Sequence, residues 1–243
     1  MENRMRMAFQ AAKEIKDNDV VLVGVGLPNI AANFAKRLYS PGLILVYESG
    51  SIDCSPDRQP LSIGDPSLSE NVSALFSLFD IFSYLIAGGR IDVGYLGAAQ
   101  IDSKGHLNTT VIGEYKRPTV RLPGSGGACE ILYYARKSVV LIEFNESKFK
   151  QQVDFITSSR GNLSDDDATP AREEVIITDK CIIRIKGKEH PEITSVYQDT
   201  NISELRLISE KLNIVFPEEV KVLEDPTDKE IEILKSMDPK GGD

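Results

Sequence analysis

Glu48 is the first residue whose type and place suggest chemistry. It closes an apolar run, Leu43-Ile44-Leu45-Val46-Tyr47, and Ser49-Gly50 follow at once. An ionised carboxylate at the exit of a buried strand is costly unless it is paired or hydrogen-bonded. Open α/β sheets bind ligands at the carboxyl ends of their strands. Two readings stand open: a group aimed at a ligand, or a strand-end side chain in solvent.

Two glycine turns are further candidates. Gly24-Val25-Gly26 follows an apolar strand and could cradle a phosphate at a helix N-terminus, but it lacks the third glycine of a dinucleotide fingerprint. Gly124-Ser125-Gly126-Gly127 precedes a helix and presents backbone N–H groups. Such a turn can bind an anion or stabilise an oxyanion, or can serve close packing alone. Gln100 follows another apolar strand, either as a donor to a carbonyl oxygen or as a loop-tying amide. Ser125 has Pro123 two residues before it, so it is not in a nucleophile elbow, and no histidine is well placed. A serine hydrolase is disfavoured. There is no Gly-Lys-Ser/Thr phosphate loop.

Other reactive types read as structural. Cys54, Cys129 and Cys181 are scattered, with no metal-ligand or disulfide spacing, and fit a reducing cytoplasm. Cys54 and Cys129 read as small fillers. His106 and His190 have no ligand partner at suitable spacing, so no metal is expected. Asp165-Asp166-Asp167 reads as a solvated turn.

The elements that must position these groups alternate. Helix 3–16, strand 20–23, helix 28–38 and strand 43–47 predict a parallel sheet with crossover helices. The long segment after Glu48 has apolar anchors Ile52, Leu61, Ile63 and Leu68, which predict an ordered loop. Helix 74–87 is expected to bury Leu75, Leu78, Phe79, Phe82 and Leu85. A strand over 91–96, a hairpin within 102–122, a helix over 129–136 and a strand over 138–144 follow. Strands near 175–178, 181–186 and 193–197 and two short helices close the chain. Thr227-Asp228-Lys229-Glu230 is a capping-box pattern.

The 243 residues, 41% of them hydrophobic, suffice for a sizeable core, read as a single domain over 1–243. Segment 217–243 carries nine acidic and four basic residues, and is expected to be loosely attached. The net charge of −9, with no Lys/Arg cluster, argues against nucleic acid. No apolar run has the length of a membrane span, and no signal-peptide core is visible, so no membrane partner and a cytoplasmic location are expected.

Five segments then share an order and spacing. They are Glu48-Ser49-Gly50, Leu61-Ser62-Ile63-Gly64-Asp65-Pro66, Gly97-Ala98-Ala99-Gln100-Ile101-Asp102, Leu122 to Ala128, and Val153-Asp154-Phe155-Ile156-Thr157-Ser158. Together they resemble the β subunits of family I coenzyme A transferases, in the branch of the glutaconate CoA-transferase β chain. The likeness covers roughly residues 18–160.

The resemblance implies an open, mostly parallel α/β sheet flanked by helices, the CoA-transferase (NagB/RpiA-like) fold. It implies that Glu48 is the nucleophile of a ping-pong reaction through a glutamyl-CoA thioester. Ser49, Gly50, Gln100, Gly126 and Gly127 are then substrate- or oxyanion-binding, and Gly124 and Ser125 lie against coenzyme A, a substrate with no bound cofactor. A homologous α subunit is the implied partner. The chain departs from its relatives at Ser159-Arg160-Gly161-Asn162-Leu163, where they carry a Pro-Gly-Tyr-Leu turn. A CoA-thioester hydrolase of the ring-cleaving branch is an alternative, disfavoured because that branch lacks the Glu-Ser-Gly motif. A non-catalytic CoA-ester-binding module is a second, disfavoured by the intact motif set.

Overall fold

A computed structural model describes residues 3–56, 58–161, 172–187 and 189–238. The Asp165-Asp166-Asp167 turn, and Asn162 and Leu163 of the divergent segment, lie outside these residues. Contacts sort the chain into two compact units. The first holds Met1–Leu96, Tyr134–Val139 and Asp225–Asp243; the second holds Gly97–Tyr133 and Val140–Glu224.

In the first unit, β1 (Val20–Leu22) runs parallel to both β2 (Ile44–Val46) and β5 (Val93–Gly97). Val21 sits in register with Leu45 and Val93, and all three are buried, which is why this short β-branched run reads as a core strand. The crossover is α2 (Leu27–Leu38), with Pro28 in its first turn. Parallel strands joined by a helix are the expected α/β arrangement. β3 (Ser51–Ile52) and β4 (Ala74–Leu75) add antiparallel strands beyond β2. β10 (Lys137–Leu141) begins in this unit, next to β5.

The N-terminal helix α1 (Asn3–Ala12) is buried from Met5 onward and packs on α2. The C-terminal helix α6 (Asp228–Met237) packs on both. Its capping box is present, with Thr227 accepting from the Glu230 N–H and the Glu230 carboxylate accepting from the Thr227 N–H. Leu234 is fully buried, Arg6 pairs with Asp225 at 3.4 Å and Arg4 with Asp238 at 3.2 Å. The loosely attached segment expected from its charge is therefore a docked helix over 228–237. Its acidic residues meet basic partners on α1, and its apolar face meets the core.

The helix expected over 74–87 also differs. Residues 74–75 are strand β4, and α3 (Leu78–Asp80) passes directly into a π-helical segment, Ile81–Ile86. Hydrogen bonds from Ala87 N to Phe82 O and from Arg90 N to Leu85 O span five residues, at 2.9 Å each. Ile81 and Ile86, five apart, are the buried pair, while Leu75, Leu78 and Phe79 are exposed. The expected 3.6-residue stripe is broken, because Leu75 lies in a strand and the π segment buries residues five apart.

In the second unit, β6 (Gln100–Asp102) lies between β7 (Leu107–Asn108) and β11 (Phe149–Lys150). β8 (Val111–Glu114) and β9 (Arg117–Arg121) form the expected hairpin, followed by α4 (Ala128–Tyr134). β12 (Glu173–Ile177), β13 (Cys181–Lys186) and β14 (Glu192–Val196) form an antiparallel meander. α5 (Ile202–Lys211) leads to β15 (Lys221–Val222), parallel to β14.

Candidate active site

Strand β2 ends at Val46, and the chain reverses within four residues. Gly50 N donates to Tyr47 O at 2.9 Å and Tyr47 N to Ser51 O at 3.0 Å, so Glu48 and Ser49 are the central residues of a tight turn. Gly50 has φ +104°, and a Cβ on it would stand 1.9 Å from the Phe76 carbonyl oxygen. Phe76 N in turn donates to Gly50 O at 2.9 Å. Only glycine fits there. Glu48 is half-buried, Ser49 exposed and Gly50 buried, so the carboxylate rides on a clamped backbone.

Behind this turn lies a neutral polar network. The Tyr47 phenol is buried and donates to Asn29 Oδ1 at 2.6 Å, and the same oxygen accepts from Asn33 Nδ2 at 3.0 Å. Asn29 also donates to Gln59. Burial pushes the Tyr47 phenol well above its ordinary range and raises the neighbouring Cys54 thiol. Cys54 is buried, in keeping with the small filler that its sequence context predicts.

The loop beyond the turn is ordered by Asp65. Its carboxylate accepts from Arg58 through two bonds of 2.8 Å, from Leu61 N at 2.8 Å and from Ser67 N at 3.0 Å. The Arg58 bonds, with those N–H groups, hold its carboxyl far below the usual range. Arg58 is thus committed to the loop, not open to a substrate carboxylate. Gly26 caps α2 with φ +82° and no side-chain cap. A cavity of ≈ 130 Å³ beside it has Arg4, Gly26, Ile30, Gln59, Leu61 and Asp238 among its lining residues.

The second unit holds the other glycine turn. Gly124 N donates to Thr109 O at 2.9 Å, and Thr109 Oγ1 donates to Gly124 O at 2.7 Å. Gly124 and Gly126 have φ of +102° and +49°. Among the described residues, the N–H groups of Ser125, Gly126 and Gly127 have no hydrogen-bond partner, while Gly124's is used. Gly126 is exposed and Gly127 buried.

Gln100 is 2% exposed. Its Nε2 donates to Asp154 at 3.0 Å, and its Oε1 accepts from Asn108 at 2.8 Å and from Asp154 N at 3.0 Å. Asp154 also accepts from Gly113 N at 2.8 Å. Of the two readings open for Gln100, this is the loop-tying amide. The Thr157 hydroxyl accepts from Thr109 N at 2.9 Å, and Cys129 Sγ donates to Thr157 O at 3.0 Å. Asn108, Asp154 and Thr157 thus brace the hairpin and the turn. Sequence reasoning gave them no role, although Asp154 and Thr157 lie within one of the shared motifs.

The candidate residues therefore fall into two sets: Glu48, Ser49 and Gly50 in the first unit, and Gln100 with Gly124 to Gly127 in the second. Among the described residues no cluster of His, Cys, Asp or Glu could hold a metal, and no helix is long and apolar enough to cross a membrane.

The coenzyme A transferase family model matches residues 4–200. The chain belongs to the coenzyme A transferase family. It is 39% identical to the β chain of 3-oxoadipate CoA-transferase from Pseudomonas knackmussii over 96% of this chain and 92% of that one. It is 34% identical to the β chain of glutaconate CoA-transferase from Acidaminococcus fermentans over 83% and 79%. The solved structure of that glutaconate enzyme superposes with a TM-score of 0.81 and 28% identity over 99% of this chain and 96% of that one. Caffeate CoA-transferase of Acetobacterium woodii is 28% identical over 77% of this chain but only 38% of its own length. As a CoA-transferase β subunit the chain is a transferase, one part of a heteromeric enzyme, and coenzyme A thioesters are the substrates of such enzymes.

Proposed function

We propose that Glu48 is the covalent nucleophile of this CoA-transferase. The carboxylate attacks the acyl-CoA carbonyl, giving a mixed anhydride and releasing CoA thiolate. The thiolate then attacks the glutamyl carbonyl of the anhydride, giving a glutamyl-CoA thioester and the free acid. A second acid reverses both steps and leaves as acyl-CoA, with no electrons gained or lost. A carboxylate is a weak nucleophile in water, so it must be partly desolvated and aimed. The observation that carries this reading is the turn: Glu48 is half-buried between Tyr47 and a Gly50 locked against Phe76. A fixed backbone lowers the entropic cost of reaching attack geometry.

Within the second unit, the N–H groups of Ser125, Gly126 and Gly127 suit binding of an oxyanion, one such donor being worth about 3 kcal/mol. Gln100 acts by positioning the hairpin beside that turn. The acid is a dicarboxylate, supported by two relatives named for 3-oxoadipate and glutaconate, both dicarboxylic acids. An α subunit completes the enzyme, supported by relatives that are themselves named as subunits.

Treating the assembled enzyme with acyl-CoA and then borohydride is expected to inactivate it, because the glutamyl thioester is reducible. Glu48→Gln is expected to be inert to that treatment and to lose transfer; near-normal turnover in Glu48→Gln would reject the assignment. In the same CoA-exchange assay, this chain without its partner is expected to be inactive. Across mono-, di- and 3-oxo acids, dicarboxylates are expected to give the highest kcat/KM.

A further inference from the structure

The segment that clamps the Glu48 turn continues into an uncovered apolar face. Leu75, Phe76, Leu78, Phe79 and Tyr84 are 61%, 45%, 60%, 67% and 63% exposed. Single exposed apolar residues are ordinary, but five within ten consecutive positions form a patch. Phe79 and Tyr84 meet edge to face, with ring centroids 6.5 Å apart, so the aromatic part is continuous. Ile81 and Ile86, fully buried, pin the helix and fix which side faces outward.

The face is also almost uncharged. Between Ala74 and Ala87 the sole acidic or basic side chain is Asp80. Its carboxylate is turned back on the helix start, accepting from Ser77 N at 3.1 Å and Ser77 Oγ at 2.7 Å. The whole chain carries a net charge of −9, so an uncharged stretch rich in aromatics stands apart from it. Aromatic residues enriched and charge depleted are the marks of an interface centre.

We propose that this face docks the second subunit of the CoA-transferase. Two observations select that occupant over other proteins. Relatives of full-length similarity are named as subunits, and in caffeate CoA-transferase the match occupies only 38% of one longer polypeptide. More than half of that relative is therefore additional chain. The face is moreover continuous with the Glu48 turn: Phe76 supplies the backbone that holds Gly50 and presents its ring on the patch. A partner chain seated there screens the carboxylate side from water and couples assembly to the shape of the Glu48 turn. The inference rests on the transferase reading above, but its test reads binding separately from exchange.

The tagged full chain is purified from its native cells, and any companion is identified by peptide sequencing. Wild type is expected to bring down a chain of the coenzyme A transferase family. The Leu78→Asp/Phe79→Asp variant, with an unchanged circular dichroism spectrum, is expected to bind that companion at least ~10²-fold more weakly. Leu207→Asp, at a position 56% exposed on α5, is expected to bind it normally. A photo-crosslinking amino acid at position 79, in an otherwise unaltered chain, is expected to attach to the companion, which keeps the test valid if the double variant misfolds. Unchanged affinity in the folded double variant, crosslinking to a second copy of this chain or to a protein of another family, or no companion at all overturns the docking inference. A complex formed through this face that lacks CoA exchange supports the docking and rejects the transferase chemistry. Exchange persisting in an intact double-variant complex does the reverse.

Discussion

Two buried or half-buried glutamates in this chain face opposite problems. Glu48 sits on a turn at a strand exit and is half-buried. Glu174, on β12, is fully buried, and among the described residues neither of its oxygens has a hydrogen bond; Arg160 Nε lies 3.7 Å away. Burial pushes its carboxyl up to about 8 against the opposing pull of Arg160. The folded chain therefore keeps a proton that the unfolded chain loses near pH 4.5. The stability this contributes is full below about pH 4.5 and is lost as pH rises through about 8, a change of a few kcal/mol by linkage. The urea midpoint of the wild type is expected to fall between pH 6 and pH 9. Glu174→Gln is expected to flatten that fall and to be the more stable chain at pH 9. Equal slopes in both chains would exclude Glu174 as the cause.

At the scale of elements, the turn after β2 shows how a motif is enforced. The last residue of Glu-Ser-Gly is glycine because a strand-like segment some 25 residues later crosses against it. Gly50→Ala meets both a left-handed backbone at φ +104° and the Phe76 carbonyl oxygen. Strain and overpacking together are expected to cost on the order of 2–4 kcal/mol. Thermal unfolding measures that cost, and a variant as stable as wild type would show that the turn is not clamped. The π segment is the second element of note. Its i→i+5 bonding goes with Ile81 and Ile86, five apart, facing inward, while Tyr84 between them is exposed. The helix thus anchors the turn on one side and offers a contact face on the other.

At the scale of the molecule, the first unit is closed by the end of its own chain. α6 covers α1 and α2, and Tyr39 on α2's C-terminal side bonds to Glu230. Removing residues 225–243 takes away Leu234 and deprives Arg6 and Arg4 of Asp225 and Asp238. The truncated chain is expected to unfold several degrees lower and to aggregate on heating. A melting temperature equal to that of the full chain would mean that α6 is an appendage after all.

What the sequence determined by itself was local or shared by descent. β-branched runs made strands, Thr227-Asp228-Lys229-Glu230 made a capped helix, and a set of spaced motifs placed Glu48 in the coenzyme A transferase family. These signals are legible because each depends on neighbours in the chain or on a pattern held in common with relatives. The tertiary structure alone decided which faces meet. It set Gly50 against Phe76, engaged the Gln100 amide with Asn108 and Asp154, docked an acidic segment that composition read as loose, and turned an apolar stripe outward. Burial of a given face depends on a surface supplied by a distant segment, and hydrophobic periodicity carries no address for that partner.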